Sequence, residues 1–291
     1  MKTSGVQSLD ASHAYSALKP VTGRPPLGLY LQRLFQRRYF IRAEARAKVA
    51  TSNQNLLLGR AWLILGPLLD AGVYGLIFGV LLKTSRGIEH FIPFLLIGVT
   101  FFGFSSKALN AGSGLISARK NFIKAFAFPR AALVLSQSLK LIYDSIPMVL
   151  VALAVTLWFP QGIGWPFWTW LLLPVVWGLQ AIFNTGLIFV GATLTDALPD
   201  LKRVISYATR IWFYSSGVFF SVDAVVSGNP ILRQLVNLNP AYWILDMARD
   251  LVVYGEIPTL AAWLRLVAWA LGTLLFGFLL FWAREESYGK G

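Results

Sequence analysis

The chain has 291 residues, 56% hydrophobic and 13% charged, with a net charge of +13 and a mean hydropathy of +0.60. That excludes an ordinary soluble domain, whose composition carries about twice this share of charge, and describes a polytopic membrane protein. The cations sit at the ends of apolar runs, which removes nucleic-acid binding as the reason for the high pI, and the lack of cysteine removes disulfide and thiol chemistry.

Residues 1–26 hold Ser, Pro and Gly with no apolar run, so they read as a disordered cytosolic tail without a cleavable signal peptide. Over residues 27–49, Leu27, Leu31, Leu34, Phe35 and Tyr39 recur at helical spacing opposite Arg33, Arg37, Arg38, Arg42 and Arg46. This is a basic amphipathic helix for the boundary between lipid and cytosol, where anionic headgroups attract the arginines and the leucines sink into the acyl edge. Residues 56–82 follow as the first span, with Arg60 at its head and Asp70 within. A crossing helix needs about 20 apolar residues, and this run supplies them.

A short charged turn leads to a second span, 91–109, with Lys107 near its end. Residues 110–130 form a basic loop containing a short helix, with Arg119, Lys120, Lys124 and Arg130 and a Phe122, Phe126 pair at i, i+4. The third span, 131–158, carries Lys140 and Asp144 at the spacing of an ion pair on one helix face. An uncharged Gly/Pro connector precedes the fourth span, 167–194. After the polar break 196–203 comes an aromatic fifth span, 204–222, holding Tyr207, Trp212, Tyr214 and Phe219. Residues 223–259 are half apolar and half charged, in two pieces split at Asn239 and Pro240. Neither is long enough to cross, so they read as a re-entrant helical pair. The sixth span is 260–282, and a short tail ends the chain. The expected fold is therefore one all-α integral membrane domain, residues 27–291, with six transmembrane helices, an interface helix before them and a re-entrant pair before the last.

With both ends in the cytosol, 18 cations fall inside and five outside, leaving Lys107, Lys140 and Arg210 in or near spans. The positive-inside rule selects that orientation. Catalytic groups are scarce. His13 lies in the tail and His90 in a turn, so no metal spacing exists, and no GxxxxGK[ST] is present to cradle a nucleotide. Asp196 and Asp200 stand at i, i+4 beside Lys202 and Arg203 and read as solvated loop charges rather than a catalytic pair. Charges within spans mark either a hydrated path or a buried ion pair. Lys140 with Asp144 is the structural candidate, while Asp70 and Arg210 stay open.

Several stretches resemble the ABC-2 type permeases that export polysaccharides: the interface helix, the first span with Gly59, Trp62 and the Pro67, Leu68 step, Phe128-Pro129-Arg130 before the third span, and Asn239, Pro240 and Arg249 near the split pair. The likeness covers about residues 27–282. It implies a homodimer in the cytoplasmic membrane, served by two copies of a separate ATPase that holds ATP and Mg, and a lipid-linked polysaccharide moved through a channel between the copies. It also implies that the loop 115–128 docks on the ATPase through Arg119, Lys120, Phe122, Lys124 and Phe126. Trp62, Tyr74 and Phe78 in the first span, with Tyr207, Trp212, Tyr214 and Phe219 in the fifth, have the faces on which sugar rings stack, although the same aromatics equally serve helix packing. O-antigen, teichoic acid and galactan precursors are the substrates the resemblance admits, and abundant Ala, Arg and Trp with few Lys points toward a GC-rich genome and a galactan. The rival readings are an ABC-2 permease for drugs or lipids, a membrane glycosyl or acyl transferase, and a passive structural subunit.

Overall fold

The computed structural model describes residues 25–51, 59–77, 88, 90–126, 128–159, 167–222 and 230–288. Among these residues every regular element is helical. The chain opens with α1 (Leu27–Gln36) and α2 (Arg38–Thr51), then a 3-10 turn at Gly59–Ala61 leads into α3 (Trp62–Gly75). Next come α4 (Phe91–Gly112), the short α5 (Leu115–Ala118) and α6 (Lys120–Ala125), and the long α7 (Ala131–Thr156). A 3-10 turn, Trp168–Leu172, starts α8 (Leu173–Ala197), and α9 (Leu201–Ser215), α10 (Pro230–Asn237), α11 (Pro240–Arg249) and α12 (Leu260–Ala283) complete the set.

Among the described residues, four helical stretches are long and apolar enough to cross a membrane: Phe91–Gly112, Ala131–Thr156, Trp168–Ala197 and Leu260–Ala283. They correspond to the second, third, fourth and sixth expected spans. The other two differ. For the first, a 14-residue α3 is described with the 3-10 turn before it and residues 76–77 after it, while 56–58 and 78–82 lie outside the described residues, as do the tail 1–24, most of the connector 83–89 and all of 160–166. The fifth is not one continuous helix over 204–222. α9 begins earlier, at Leu201, and stops after 15 residues, roughly 22 Å of length against a hydrocarbon core of about 30 Å. Gly217 then turns the chain at φ +70, a conformation that costs a side-chain-bearing residue about 1–2 kcal/mol. The expected interface helix is likewise two helices, broken at Arg37, whose N–H bonds back to the Leu34 carbonyl at 3.1 Å.

α4 is the central helix, 72% buried along its apolar window, whereas α12 is 22% buried and lies at the periphery. α12 runs along α8, and two glycines let the backbones touch. A Cβ on Gly186 would meet the Thr273 carbonyl carbon at 2.5 Å, and one on Gly277 would meet the Gly186 oxygen at 2.5 Å. Small residues at such crossings are how helices pack in lipid, where apolar burial between helices gains little. Two buried apolar clusters occupy opposite ends of the bundle. One joins the first half of α4 to α11, the turn after α9 and the start of α12. The other joins α1, the end of α4, α5, α6 and the last turns of α8 and α12.

Candidate functional site

At the end of the bundle where α4 and α8 finish, the loop 113–130 folds back on α2. Phe122 is half-buried, stacked on Phe40 of α2 at 6.2 Å and edge-on to Phe128 at 5.3 Å. Arg119 reaches Glu44 at 3.0 Å, and Lys48, one turn along α2, bridges Glu44 at 3.6 Å and donates to Ser136 Oγ at 3.2 Å. Burial holds Lys48 below the ordinary lysine range. Two of the five residues expected to form a docking face therefore point inward, because α2 presents a ring and a carboxylate of its own to them. Phe126 is 59% exposed, Lys124 is exposed and Lys120 half-exposed; these three remain on the outer side. Lys120, Arg130 and Arg284 also surround Asp196, so this surface is cationic and drawn from three separate stretches of chain.

The aromatic stretch divides in the same way. On α9 the stripe Val204, Tyr207, Ile211 and Tyr214 is exposed. Arg210 lies 5.9 Å from the centroid of Tyr207. Trp212, by contrast, packs edge-on against Phe102 at 5.1 Å and donates its Nε1–H to Asn239 Oδ1 at 2.8 Å. Phe219 is 4% exposed and packs edge-on against Phe213 at 5.0 Å. Trp212 and Phe219 thus pack within the bundle, and the turn at Gly217 carries Phe219 back into it, while Tyr207 and Tyr214 stay exposed. Trp62 on α3 is 42% exposed. The side chains of Tyr74 and Asp70, and all of Phe78, lie outside the described residues.

Lys140 and Asp144 form the ion pair their spacing predicts. Lys107 donates to Met148 Sδ at 3.4 Å. Along this part of α7, Ser138 shares a hydrogen bond with Thr185 at 2.6 Å and Ser145 accepts from Trp177 Nε1 at 3.1 Å. Together these join α7 to α8 with polar contacts.

Two side chains that the sequence offered only as parts of a motif organise the opposite end. Asn239 caps α11 by accepting from the Ala241 N–H at 3.0 Å, holds Trp212, and donates to Ser216 Oγ at 3.0 Å. Arg249, 4% exposed, donates Nη1 to the Gly217 carbonyl at 2.9 Å, Nη2 to Val218 at 3.0 Å and Nε to Phe94 at 3.2 Å. Its Cζ sits 3.4 Å from the centroid of the Phe94 ring. A Cβ on Gly98 would collide with Nη2, so the glycine is what admits the guanidinium. α11 therefore grips both sides of the break that ends α9.

Residues 45–253 match the family model described as ABC-2 type transporter. The chain is similar to the O-antigen export system permease protein RfbA of Myxococcus xanthus, 22% identical over 261 residues, which cover 89% of this chain and 98% of that one. It is also similar to the protein of the same name from Klebsiella pneumoniae, 27% identical over 69% of this chain and 75% of that one. With the polysialic acid transport protein KpsM of Escherichia coli the identity is 24%, over 79% of this chain and 87% of the relative.

Proposed function

Since the chain belongs to the ABC-2 type transporter family, we propose that it is the membrane subunit of an ATP-driven exporter that moves a lipid-linked polysaccharide out of the cytosol. The observation that carries this is the nearly end-to-end likeness to a permease named for O-antigen export, joined by a relative named for polysialic acid transport. Both names concern long glycans, which weighs against a small drug or lipid as cargo and against a transferase.

In this reading the subunit sits in the cytoplasmic membrane with both ends in the cytosol, α1 and α2 lie at the inner interface, and two copies face one another. The 18-to-five distribution of cations supports that orientation. An exposed apolar stripe on α9 and the exposed Leu69 and Val73 of α3, with Leu76 just past its end, suit a face that meets a second copy or a passing glycan. Tyr207 and Tyr214 offer rings and hydroxyls there, which grip a sugar weakly and repeatedly as a moving polymer requires. Two ATPase subunits, carrying ATP and Mg, dock on the cationic surface around Phe126, because energy from hydrolysis has to enter through a protein contact.

The test is to purify the chain together with a candidate ABC ATPase partner and to measure ATP hydrolysis with and without a polyprenyl-linked glycan. Stimulation by the long glycan but not by detergent-like amphiphiles is the expected result. Failure of the two proteins to associate would overturn the reading.

A further inference from the structure

The turn after α12 contains a carboxylate that the fold buries and shares among distant parts of the chain. Glu285 is 6% exposed. Its Oε2 accepts from the Tyr30 hydroxyl of α1 at 2.9 Å, and its Oε1 accepts from the Arg130 backbone N–H at 2.9 Å. The Arg130 guanidinium donates to the Glu285 carbonyl. The circuit closes through Tyr30, whose oxygen accepts from the Ala131 N–H at 3.1 Å. Three residues on, Tyr288 is fully buried, bonded to Thr193 of α8 at 3.1 Å and packed on Phe281 at 4.5 Å.

The chemistry of the node is specific. An ionised carboxylate accepts on both oxygens, so it can hold a phenol from one element and an amide from another at once, and charge strengthens each bond. Arg130 ends the segment 113–130, whose outer side carries Phe126, and Tyr30 sits on α1, whose other side exposes Leu31 and Phe35. A displacement of that segment therefore reaches α1 through the Glu285 carboxylate and the Tyr30 hydroxyl, alongside the apolar cluster that Tyr30 shares with Ile123 and Ala131.

We propose that Tyr30, Glu285 and Arg130 form the linkage by which motion of the ATPase-facing loop is passed to the interface helix α1, with Glu285 and Tyr30 as positioning residues; the proposal rests on the assignment of that loop to the ATPase. The competing role is a plain cap, in which Glu285 satisfies the Arg130 N–H just before α7 and favours the N-terminal dipole of that helix. A cap affects how much folded protein there is. A linkage affects how much export each hydrolysed ATP yields.

The experiment uses the reconstituted complex of this chain with its ATPase, in wild type, Tyr30→Phe and Glu285→Gln forms. Tyr30→Phe removes a single oxygen and leaves the ring against Phe278, 6.1 Å away. The natural chain has no cysteine, so Arg33→Cys places one spin label on the exposed side of α1. Both variants are expected to recover the ATPase and hydrolyse ATP as wild type does. Export per ATP should fall roughly three- to ten-fold, the size of a coupling free energy of one or two hydrogen bonds, and the ATP-dependent change in the label spectrum should disappear. Unchanged export per ATP and an unchanged spectral response in Tyr30→Phe overturn the linkage, as does a loss of export that only tracks the loss of folded complex. Failure of the wild-type chain to recover the ATPase overturns the transport reading, and the linkage with it.

Discussion

Arg249 and Gly98 should behave as one unit in a double-mutant cycle. Arg249 satisfies three backbone carbonyls, those of Phe94, Gly217 and Val218. Hydrogen bonds between helices in a membrane average about 0.6 kcal/mol, and charge-assisted bonds in proteins reach about 1.5 kcal/mol and above. Three such bonds bracket the cost of Arg249→Ala between about 2 and 4.5 kcal/mol, with about 0.5–1 kcal/mol more for the lost contact with the Phe94 ring. Arg249→Lys keeps the charge but loses the planar fork that serves Gly217 and Val218 together, so it should recover less than half of this. Gly98→Ala displaces Nη2 and should cost about 1.5–3 kcal/mol in the wild-type background. With Arg249 already truncated the new methyl meets little more than the Val218 carbonyl, 3.3 Å from the Cβ position, and should be almost neutral. The assay is reversible unfolding of the purified protein in mixed micelles, read as a denaturant midpoint and slope. Costs that add to within about 0.5 kcal/mol would refute the reasoning, because residues in direct contact couple by more than that.

Phe122→Ala should lower thermal stability by about 0.5–1.5 kcal/mol per lost ring contact, whereas Phe126→Ala should leave stability alone and weaken ATPase recovery; the reverse pattern would return the docking role to Phe122. On α9, Tyr207→Ala and Tyr214→Ala should reduce export at normal folded yield, while Trp212→Ala, which removes one of the two donors to Asn239 Oδ1 and the ring packed on Phe102, should reduce the yield itself, as measured by size-exclusion recovery. Burial raises the Glu285 pKa above 4.5, partly offset by the Arg130 and Tyr30 hydrogen bonds, with Tyr288 also facing it. A raised carboxyl binds its proton more tightly in the fold, so the wild type should lose stability relative to Glu285→Gln as pH rises from about 4.5 through the raised value. Parallel stability-versus-pH curves for the two proteins would contradict this.

Hydropathy and spacing alone determined the helical membrane class, four of the long helices, the break at Asn239 and Pro240, and the Lys140 to Asp144 pair. Each of these depends on interactions within about one helical turn, or on the length of an apolar run, which a linear sequence carries directly. The sequence also held enough family pattern around Phe128-Pro129-Arg130 and Arg249 to suggest transport. What it did not decide was which side of each aromatic residue would be occupied. Phe122 and Phe126 look equivalent at i, i+4, but the helix ends at Ala125, so Phe126 follows in extended backbone with its ring exposed, while α2 brings Phe40 against Phe122. Trp212 and Tyr214 look equivalent in the fifth apolar run, yet only Trp212 finds Phe102 and Asn239. Glu285 sits in a short polar tail where local sequence predicts a solvated charge. It becomes a buried acceptor because folding brings Tyr30, 255 positions away, and the start of α7 to the same place, and that convergence belongs to the tertiary structure alone.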